Sequence, residues 1–384
     1  MPGTRAMPRL DVERHTNYFL HCLRSLPSPY TSLDTNRLTV AYFSVSALDL
    51  LGALDRVDAP SLIRWTYSQQ LKRPAGAPAD WAGGFRGLHL YGGPFEAAGA
   101  PSSSAYDTGH IAMTYTALAL LLILGDDLSR VDRAATLHHV RSLQQSDGSF
   151  RAFDGGESDM RFVYCAAAIC AMLRDGAGAG EDLGEEGAAC EWEGMDATLA
   201  AQFVLASQAY DGALGLGPEA EAHGGSTYTG LAALSLMGAL PQLPRRELAI
   251  GWCTARQVGG FQGRPNKDED TCYSFWIGAS LHLLGAGGII HGPSVGHFAR
   301  CCQFMKGGIA KVPDSHPDVL HSYYALAGLT LAGHPLLAPL DPRFGISQRA
   351  ADAAGLRRAP TDAAARLHGE MPLPPQQCEP CEEE

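Results

Sequence analysis

The sequence predicts an all-α fold, an α/α six-barrel (toroid) of helical hairpins with a parallel inner ring and an outer ring of helices. Six Ala/Leu-rich segments carry small or apolar residues on most faces, as helices buried all round do. More polar segments with a single apolar face lie between them. The pairs recur at spacings of about 45 to 75 residues, which is typical of stacked helical repeats.

The Ala/Leu-rich segments share a polar start, an apolar body and, in most copies, a terminal Gly, which is the usual left-handed cap of a helix. They are NRLTVAYFSVSALDLLG to Gly52, GHIAMTYTALALLLILG to Gly125, DMRFVYCAAAICAML to Leu173, HGGSTYTGLAALSLMG to Gly238, DTCYSFWIGASLHLLG to Gly285 and LHSYYALAGLTLAG to Gly333. We expect these segments to be the inner helices.

The intervening segments are predicted outer helices with one solvated face. They include ATLHHVRSLQQ, MDATLAAQFVLASQ, RRELAIGWCTARQ and VGHFARCCQFMKG. Several end in a Gln before a Gly-containing turn, at Gln145, Gln208, Gln257 and Gln303. Such pairs can stack as an open solenoid or close into a ring. The shared type of turn before the inner helices favours closure.

Composition narrows the classes of function. The formal net charge of −12 argues against a general nucleic-acid binder. No stretch approaches the ~20 apolar residues of a membrane span, and the start MPGTRAMPRL lacks a secretory apolar region. The ten cysteines do not form a disulfide-like framework. We therefore expect a cytoplasmic protein in a reducing compartment.

Three segments are predicted to lie outside the barrel, which would span residues 12–345. Residues 1–11 form an N-terminal tail, and the Gly/Ala/Glu-rich residues 175–195 form a low-complexity insertion loop. Residues 346–384 are predicted to be a disordered acidic tail, most clearly from about Gly355. Its Cys378 and Cys381 form a lone CxxC, a weak metal signal.

Polar residues recur at the amino-terminal ends of the predicted inner helices, which a parallel ring would bring to one mouth. They are Arg37, Thr39, His110, Arg161, Tyr164, His223, Asp270, Cys272, Tyr273 and His321. Helix N-termini offer unpaired N–H groups and positive dipole ends that favour a bound anion. Phe43, Tyr115, Phe275 and Trp276 would form apolar walls below. The sequence thus predicts a funnel for an anionic head with an apolar tail.

Asp270, Cys272 and His321 are candidate metal ligands. Asp270 and Cys272 can share an ion if the Asp is an N-cap and the Cys lies in the first turn, and His321 opens the next inner helix. This set leaves a tetrahedral zinc ion one position short, the pattern of a catalytic site. Considered singly, Asp270 is more simply a helix cap, Cys272 a buried thiol and His321 a hydrogen-bonded core histidine. Their equivalent places on adjacent repeats favour zinc.

His223, Arg264, Lys267 and Tyr273 are candidate anion ligands. Arg binds phosphate oxygens in a fork, Lys supplies a point charge, and His and Tyr donate hydrogen bonds. Arg264 and Lys267 alone would be ordinary solvated cations. Their loop leads directly into the helix that carries Cys272, which favours a functional role.

Specific motifs give the chain a resemblance to the β-subunit family of protein prenyltransferases, and most closely to its type I geranylgeranyltransferases. The motifs are YDTGHIAMTY (106–115), ILGDDLSRV (123–131), DMRFVYCA (159–166), HGGST (223–227), GRPNK with DTCYSFW (263–276), and KVPDSHPD with LH (311–321). The match covers residues 12 to 335. That family has an α/α barrel and pairs with a separate helical-repeat α subunit.

The resemblance implies one zinc ion on Asp270, Cys272 and His321, with the thiolate of a substrate protein's CaaX cysteine as fourth ligand. It implies that geranylgeranyl diphosphate is the co-substrate, and that CaaX-tailed small GTPases and similar proteins are substrates. The diphosphate would bind the four anion ligands named above. The isoprenoid would lie along Arg161, Tyr164, Trp276, Thr39 and Phe43.

Two positions bear on the subtype. Thr39 replaces a bulky Trp of farnesyltransferases, which leaves depth for a fourth isoprene unit, and Lys311 replaces their magnesium-binding carboxylate, so that magnesium is not required. Alternatively, Thr39 is an ordinary β-branched packing residue and Lys311 is an ordinary surface lysine. Residues expected to contact the peptide tail, whose last residue would be Leu, are His110, Ala112, Phe162 and Leu320.

Other functions stay open at this point. A terpene cyclase could share the barrel, but DDLSRVD and DEDT lack the spacing of its aspartate motifs. A non-catalytic lipid- or protein-binding barrel would need no metal and would tolerate loss of Cys272. Farnesyltransferase and the Rab-specific type II enzyme are the nearest enzymatic rivals.

Overall fold

The inner ring consists of six helices that the sequence predicts. The computed structural model describes residues 10–73, 76, 81–87, 108–174 and 192–356. The inner helices are α2 (Arg37–Leu50), α4 (Ile111–Ile123), α6 (Met160–Met172), α8 (Gly224–Leu236), α10 (Tyr273–Leu283) and α12 (Val319–Leu331). Most of their residues are buried, because neighbours cover every face of each helix.

The outer ring consists of helices with one solvated face. They are α1 (Val12–Arg24), α3 (Ala59–Ser68), α5 (Arg133–Leu143), α7 (Ala197–Ala206), α9 (Arg246–Thr254) and α11 (Gly292–Cys301). Four of these match the predicted outer segments. Helices α1 and α3 were not predicted from the sequence. Short 3₁₀ helices at Ser28–Asn36, Leu54–Arg56, Leu240–Gln242 and Gly287–Ile289 complete the connections.

The ring is closed. Each inner helix packs against the inner helices before and after it, and α12 packs against α2. The predicted α/α barrel is therefore confirmed over the open solenoid. In the outer ring the Gln303 side chain accepts a hydrogen bond from the backbone N–H of Asp11 at 3.4 Å and contacts His15 Nε2 at 2.8 Å. The last outer helix is thus joined to the first.

Capping groups mark both ends of the inner helices. Side chains of His110, Asp159, His223 and Asp318 accept backbone N–H groups at the starts of α4, α6, α8 and α12. The predicted terminal glycines follow five of the six helices with positive φ: Gly52, Gly125, Gly238, Gly285 and Gly333. Contacts join the starts of neighbouring inner helices, as between His110 and Phe162, His223 and Tyr273, and His321 and Asp270. The polar starts therefore share one end of the barrel.

The C-terminal segment closes the opposite end. Strands β3 (Leu340–Asp341) and β4 (Ile346–Ser347) form an antiparallel hairpin, and α13 (Gln348–Ala353) follows. These elements contact α2, α4 and α12. The prediction that disorder begins at residue 346 is therefore wrong for residues 346–356. Ile346 and Ala350 are fully buried, and this burial orders a segment whose composition is that of a loop.

Other predicted segments lie largely outside the described residues. This applies to 1–9, to 175–191 of the predicted insertion, and to Cys378 and Cys381. Residues 192–195 are described, and Met195 is buried against the barrel, so the predicted end of the insertion at 195 is a few residues late. One further small hairpin, β1 (Phe150–Arg151) with β2 (Ser158–Asp159), leads into α6. Among the described helices, none has the length and apolar character needed to cross a bilayer.

Candidate functional site

Three candidate metal ligands meet where α10 and α12 begin. One ligand atom from each of Asp270, Cys272 and His321 lies within 4.8 Å of the other two. Asp270 Oδ1 accepts the backbone N–H of Cys272 at 2.9 Å, and Tyr273 N–H donates to the Asp270 carbonyl. The turn of residues 270–273 therefore aims a carboxylate and a thiol at one point. Helix α10 starts at Tyr273, so Asp270 caps this turn rather than the helix itself.

Asp318 orients the His321 ring. Its Oδ2 accepts from His321 Nδ1 at 2.7 Å, and its Oδ1 accepts the His321 backbone N–H at 2.9 Å. The ring's Nε2 then faces Asp270, 3.5 Å from Oδ1. Histidine ligands of metals are held in this way by a second carboxylate. Asp318 was not predicted as part of the site, although an Asp three residues before a His at a helix start is a signal for such a pair.

Burial and hydrogen bonds shift the pKa values of all three candidate metal ligands. Burial alone would lower the pKa of His321, but hydrogen bonds with Asp270 and Asp318 outweigh it and raise that pKa to about 9. Burial would raise the pKa of Asp270, but hydrogen bonds from His321 and Cys272 lower it. Burial and the Asp270 carboxylate raise the pKa of the Cys272 thiol well above its ordinary value.

The three donors suit a zinc ion. A carboxylate oxygen, a thiolate sulfur and an imidazole nitrogen are the ligand types that zinc takes in proteins. A buried thiol with a raised pKa gains most from a cation beside it, because direct ligation removes its proton. With three protein ligands, a tetrahedral ion keeps one position for another group.

His223 and Tyr273 form a second polar pair beside the metal ligands. Nδ1 of His223 accepts the Gly225 backbone N–H at 3.0 Å, so in the neutral ring Nε2 carries the proton. Nε2 lies 2.9 Å from the Tyr273 hydroxyl and donates to it, which leaves the hydroxyl proton free for another acceptor. Burial and the nearby Arg264 cation lower the pKa of His223, so its ring is neutral near pH 7. Burial raises the pKa of Tyr273 to about 12.

The predicted cations lie around this pair but are not all joined to it. Arg264 forms an ion pair with Glu221. Lys267 is exposed in the same loop, and within the described residues no contact joins it to His223 or Tyr273. Lys311 Nζ lies 3.6 Å from Asp270 Oδ2 and its side chain is 59% exposed. Lys311 is thus the predicted cation nearest to the metal ligands.

An apolar cavity of about 210 Å³ lies inside the ring. Eight residues that the sequence assigns to the site line it: Thr39, Phe43, Ala112, Tyr115, Arg161, Tyr164, Phe275 and Trp276. Aromatic rings from several inner helices form its walls; the rings of Trp276 and Tyr324, for example, lie 4.3 Å apart between centroids. Arg161 is paired with Glu157 and Asp159 where the cavity meets solvent.

The remaining residues predicted to contact a peptide lie near the starts of the inner helices. The His110 ring lies 6.1 Å from Phe162 and 5.8 Å from Phe153 of the hairpin that precedes α6. Phe162 is buried, whereas Leu320 is 36% exposed beside His321. Phe153 is a member of this cluster that was not predicted from the sequence.

Comparisons with known proteins agree with this geometry. Residues 10–346 match the family model described as the prenyltransferase alpha-alpha toroid domain. Because the match covers most of the chain, the chain belongs to this family.

Two relatives are named as subunits of type I geranylgeranyl transferases. The chain is 39% identical to the geranylgeranyl transferase type-1 subunit beta of Arabidopsis thaliana, over 91% of this chain and 93% of that protein. It is 36% identical to the corresponding subunit of Dictyostelium discoideum, over 89% and 96%. The resemblance to type I protein geranylgeranyltransferases is thereby confirmed, and the chain is a protein prenyltransferase of that type.

A solved structure shares the fold. The structure of Candida albicans protein geranylgeranyltransferase-I complexed with GGPP matches at a TM-score of 0.75 and 24% identity, over 91% of this chain and all of the matched chain. At this identity the match bears on the fold alone.

Proposed function

We propose that this chain is the catalytic β subunit of a zinc-dependent protein geranylgeranyltransferase type I. It transfers geranylgeranyl from geranylgeranyl diphosphate to the cysteine thiol of a C-terminal CaaX motif. The observation that carries the proposal is the convergence of Asp270, Cys272 and His321 beside His223 and Tyr273, above an apolar cavity.

The metal ligands prepare the nucleophile. Asp270, Cys272 and His321 would hold the zinc ion, and bound zinc supplies the charge that keeps a substrate thiol ionised at neutral pH. Asp318 fixes the His321 tautomer through Nδ1, so that Nε2 presents its lone pair to the ion. Asp270 contributes the negative charge that offsets part of the charge of the ion.

The polar groups at the mouth bind the leaving group. Sulfur attacks C1 of the allylic donor as the C1–O bond to the diphosphate breaks, and the thiol proton goes to solvent. Negative charge grows on the diphosphate during this step, so hydrogen-bond donors aimed at it act most strongly in the transition state. The free Tyr273 hydroxyl proton and the Arg264 and Lys267 cations would serve this role. Arg264 would exchange Glu221 for phosphate oxygens.

Lys311 would replace a magnesium ion. Its ammonium lies 3.6 Å from the Asp270 carboxylate and extends into solvent at the mouth. A cation here can neutralise charge on the departing diphosphate without a second metal, so turnover does not require magnesium.

The cavity and the mouth select the two substrates. The isoprenoid would lie against Phe43, Tyr164 and Trp276, and the small Thr39 side chain leaves room for the fourth isoprene unit. The CaaX tail would lie against His110, Ala112, Phe162 and Leu320, with a Leu as its last residue. The active enzyme would be an obligate heterodimer with a prenyltransferase α subunit, and its substrates would be small GTPases and similar CaaX proteins.

The test is donor and acceptor selection by the purified heterodimer. Co-expressed with an α subunit, the enzyme is expected to prefer the geranylgeranyl over the farnesyl donor, and tails that end in Leu over tails that end in Ser or Met. Thr39→Trp should move the preference towards the farnesyl donor, because an indole fills the added depth. Full activity of the β chain alone, or an unchanged donor preference in Thr39→Trp, would contradict the proposal.

A further inference from the structure

The C-terminal hairpin contributes to the floor of the apolar cavity. Gly345, in the turn between β3 and β4, lines the cavity together with residues of the inner helices. The hairpin enters from the end of the barrel opposite the metal ligands. The depth of the cavity therefore depends on where this turn is held.

Hydroxyl groups from three inner helices hold the turn. Tyr42 of α2 donates to the Gly345 carbonyl at 2.6 Å, and Tyr323 of α12 donates to the same oxygen. Tyr115 of α4 donates to the Phe344 carbonyl at 2.7 Å. Two successive carbonyls of the hairpin thus accept from tyrosines on three sides, which leaves the turn little freedom to move.

The hydroxyl network extends to two further walls. Tyr228 of α8 donates to Tyr164 of α6 at 3.3 Å, and Tyr164 donates to Tyr115 at 3.1 Å. Each of these protons points along the chain of hydroxyls that ends at the Phe344 carbonyl. Because hydrogen bonds in such chains strengthen one another in a buried setting, the network forms a fixed polar layer beneath an apolar space.

A second set of contacts anchors the hairpin from below. The Asp49 carboxylate of α2 accepts from the Ser347 hydroxyl and forms a two-point ion pair with Arg349. Arg349 also donates to the Ile123 carbonyl at the end of α4, at 2.8 Å. Asp49, Ser347 and Arg349 do not line the cavity, so these contacts can be changed without replacing a lining residue.

Space above the floor is tight at Gly345. A Cβ atom added there would lie 3.1 Å from the Tyr42 hydroxyl, 3.5 Å from the Tyr115 hydroxyl and 3.7 Å from Phe275 Cζ. The residue also has φ +64°, a conformation that other residues adopt at some cost. A single methyl group at this position would therefore fill space in the cavity. The Tyr42 hydroxyl would have to move by only a few tenths of an ångström to accommodate it.

We propose that Gly345 is a specificity-determining residue that limits the size of the donor from below, with the tyrosine-held hairpin as its support. This inference rests on the proposed function and extends it, since Thr39 bounds the cavity from the side of α2 and Gly345 bounds it from the floor. A longer isoprenoid needs more of the cavity, so a raised floor disfavours it more than a shorter one.

The experiment measures donor preference of Gly345→Ala in the purified heterodimer. Values of kcat/KM are determined for farnesyl and geranylgeranyl diphosphate, along with the affinities of unreactive analogues of both lengths. One methylene in an apolar pocket changes discrimination by about tenfold or more. We expect the geranylgeranyl-to-farnesyl ratio to fall about tenfold in both measurements, with the KM for the peptide unchanged.

Gly52→Ala is the matched control. Gly52 has φ +70°, and a Cβ atom there would meet nothing within 4 Å. This variant carries the same kind of backbone strain without filling the cavity, so its donor ratio should equal that of the wild type. A ratio that falls equally in both variants would overturn the proposal, as would an unchanged ratio in a folded Gly345→Ala.

The double variant Asp49→Asn/Arg349→Gln provides a second measurement if Gly345→Ala does not fold, because it removes the ion pair without leaving an unpaired buried charge. Loss of the ion pair with Asp49 should loosen the hairpin and raise the use of a 25-carbon donor relative to the 20-carbon donor several-fold. An unchanged ratio would overturn the proposal. A wild-type heterodimer that uses no isoprenoid diphosphate of any length would instead refute the proposed function itself.

Discussion

Replacement of Asp318 by Asn should weaken metal binding without removing a metal ligand. The Asn side chain can still accept the His321 backbone N–H and so keep the cap of α12, which Asp318 now provides at 2.9 Å. It lacks the negative charge that faces His321 Nδ1 at 2.7 Å. The variant therefore tests the orienting role of the carboxylate separately from the helix cap.

The expected loss follows from this single contact. Partners that orient a histidine ligand contribute about 10- to 100-fold to metal affinity, which corresponds to about 1.4 to 2.7 kcal/mol. Asp318→Ala should lose about 1 kcal/mol of stability in addition, because it also removes the N-cap.

Zinc affinity of the heterodimer is measured by competition with a series of chelators, and unfolding is followed in parallel. Asp196→Asn is the matched control, because Asp196 caps the outer helix α7 through Leu199 N–H in the same manner and is not among the metal ligands. The control should bind zinc as the wild type does. Wild-type zinc affinity in Asp318→Asn would refute the orienting role.

Three further outcomes are expected. Lys311→Asp should lower kcat at least about tenfold without magnesium. Added magnesium should restore kcat, since a carboxylate near Asp270 would need a cation. Strong magnesium stimulation of the wild type would contradict the role of Lys311. Burial lowers the pKa of His139 to about 4, so the unfolded chain binds more protons as pH falls below 6.5. Between pH 7 and pH 5 the burial of neutral His139 should lower the free energy of unfolding by about 2 kcal/mol, as measured by denaturant unfolding. His139→Gln should reduce this dependence of stability on pH. Truncation after residue 345 should prevent stable folding, as checked by thermal unfolding, because it removes buried Ile346 and leaves buried Asp49 without Arg349.

The inner ring was predictable because its signal is local. Residues that are apolar on all faces between a polar start and a Gly stop define a buried helix without knowledge of its neighbours. The convergence of the three candidate metal ligands was predictable for the same reason, since Asp270 and Cys272 share one turn and His321 holds the equivalent place on the next repeat. Ring closure then brings these local features together.

The C-terminal hairpin was not predictable because its order comes from distant residues. Its strands are two residues long, and the segment DPRFGIS has the composition of a loop. The Phe344 carbonyl is bound by Tyr115, which lies 229 positions earlier in the chain. The Asp341–Arg343 ion pair is buried inside the closed end, where a sequence pattern would place solvent.

The ion pairs at the mouth could not be predicted from the sequence. Arg264 and Lys267 share a loop in the sequence, but Arg264 is paired with Glu221, which lies 43 positions earlier, and Lys267 extends into solvent. The ion pairs that exposed loop side chains form depend on three-dimensional proximity, which residue spacing does not reveal. The orientation of His223 towards Tyr273 likewise depends on the packing of α8 against α10.

Metal analysis of the intact, active heterodimer tests the central claim most directly. We expect one zinc ion per chain in the wild type. Cys272→Ala should lose both bound zinc and activity. Cys253→Ala, which removes a buried thiol that is not a candidate metal ligand, should retain both. Full activity in wild-type protein that contains no zinc, or undiminished zinc in Cys272→Ala, would contradict the account.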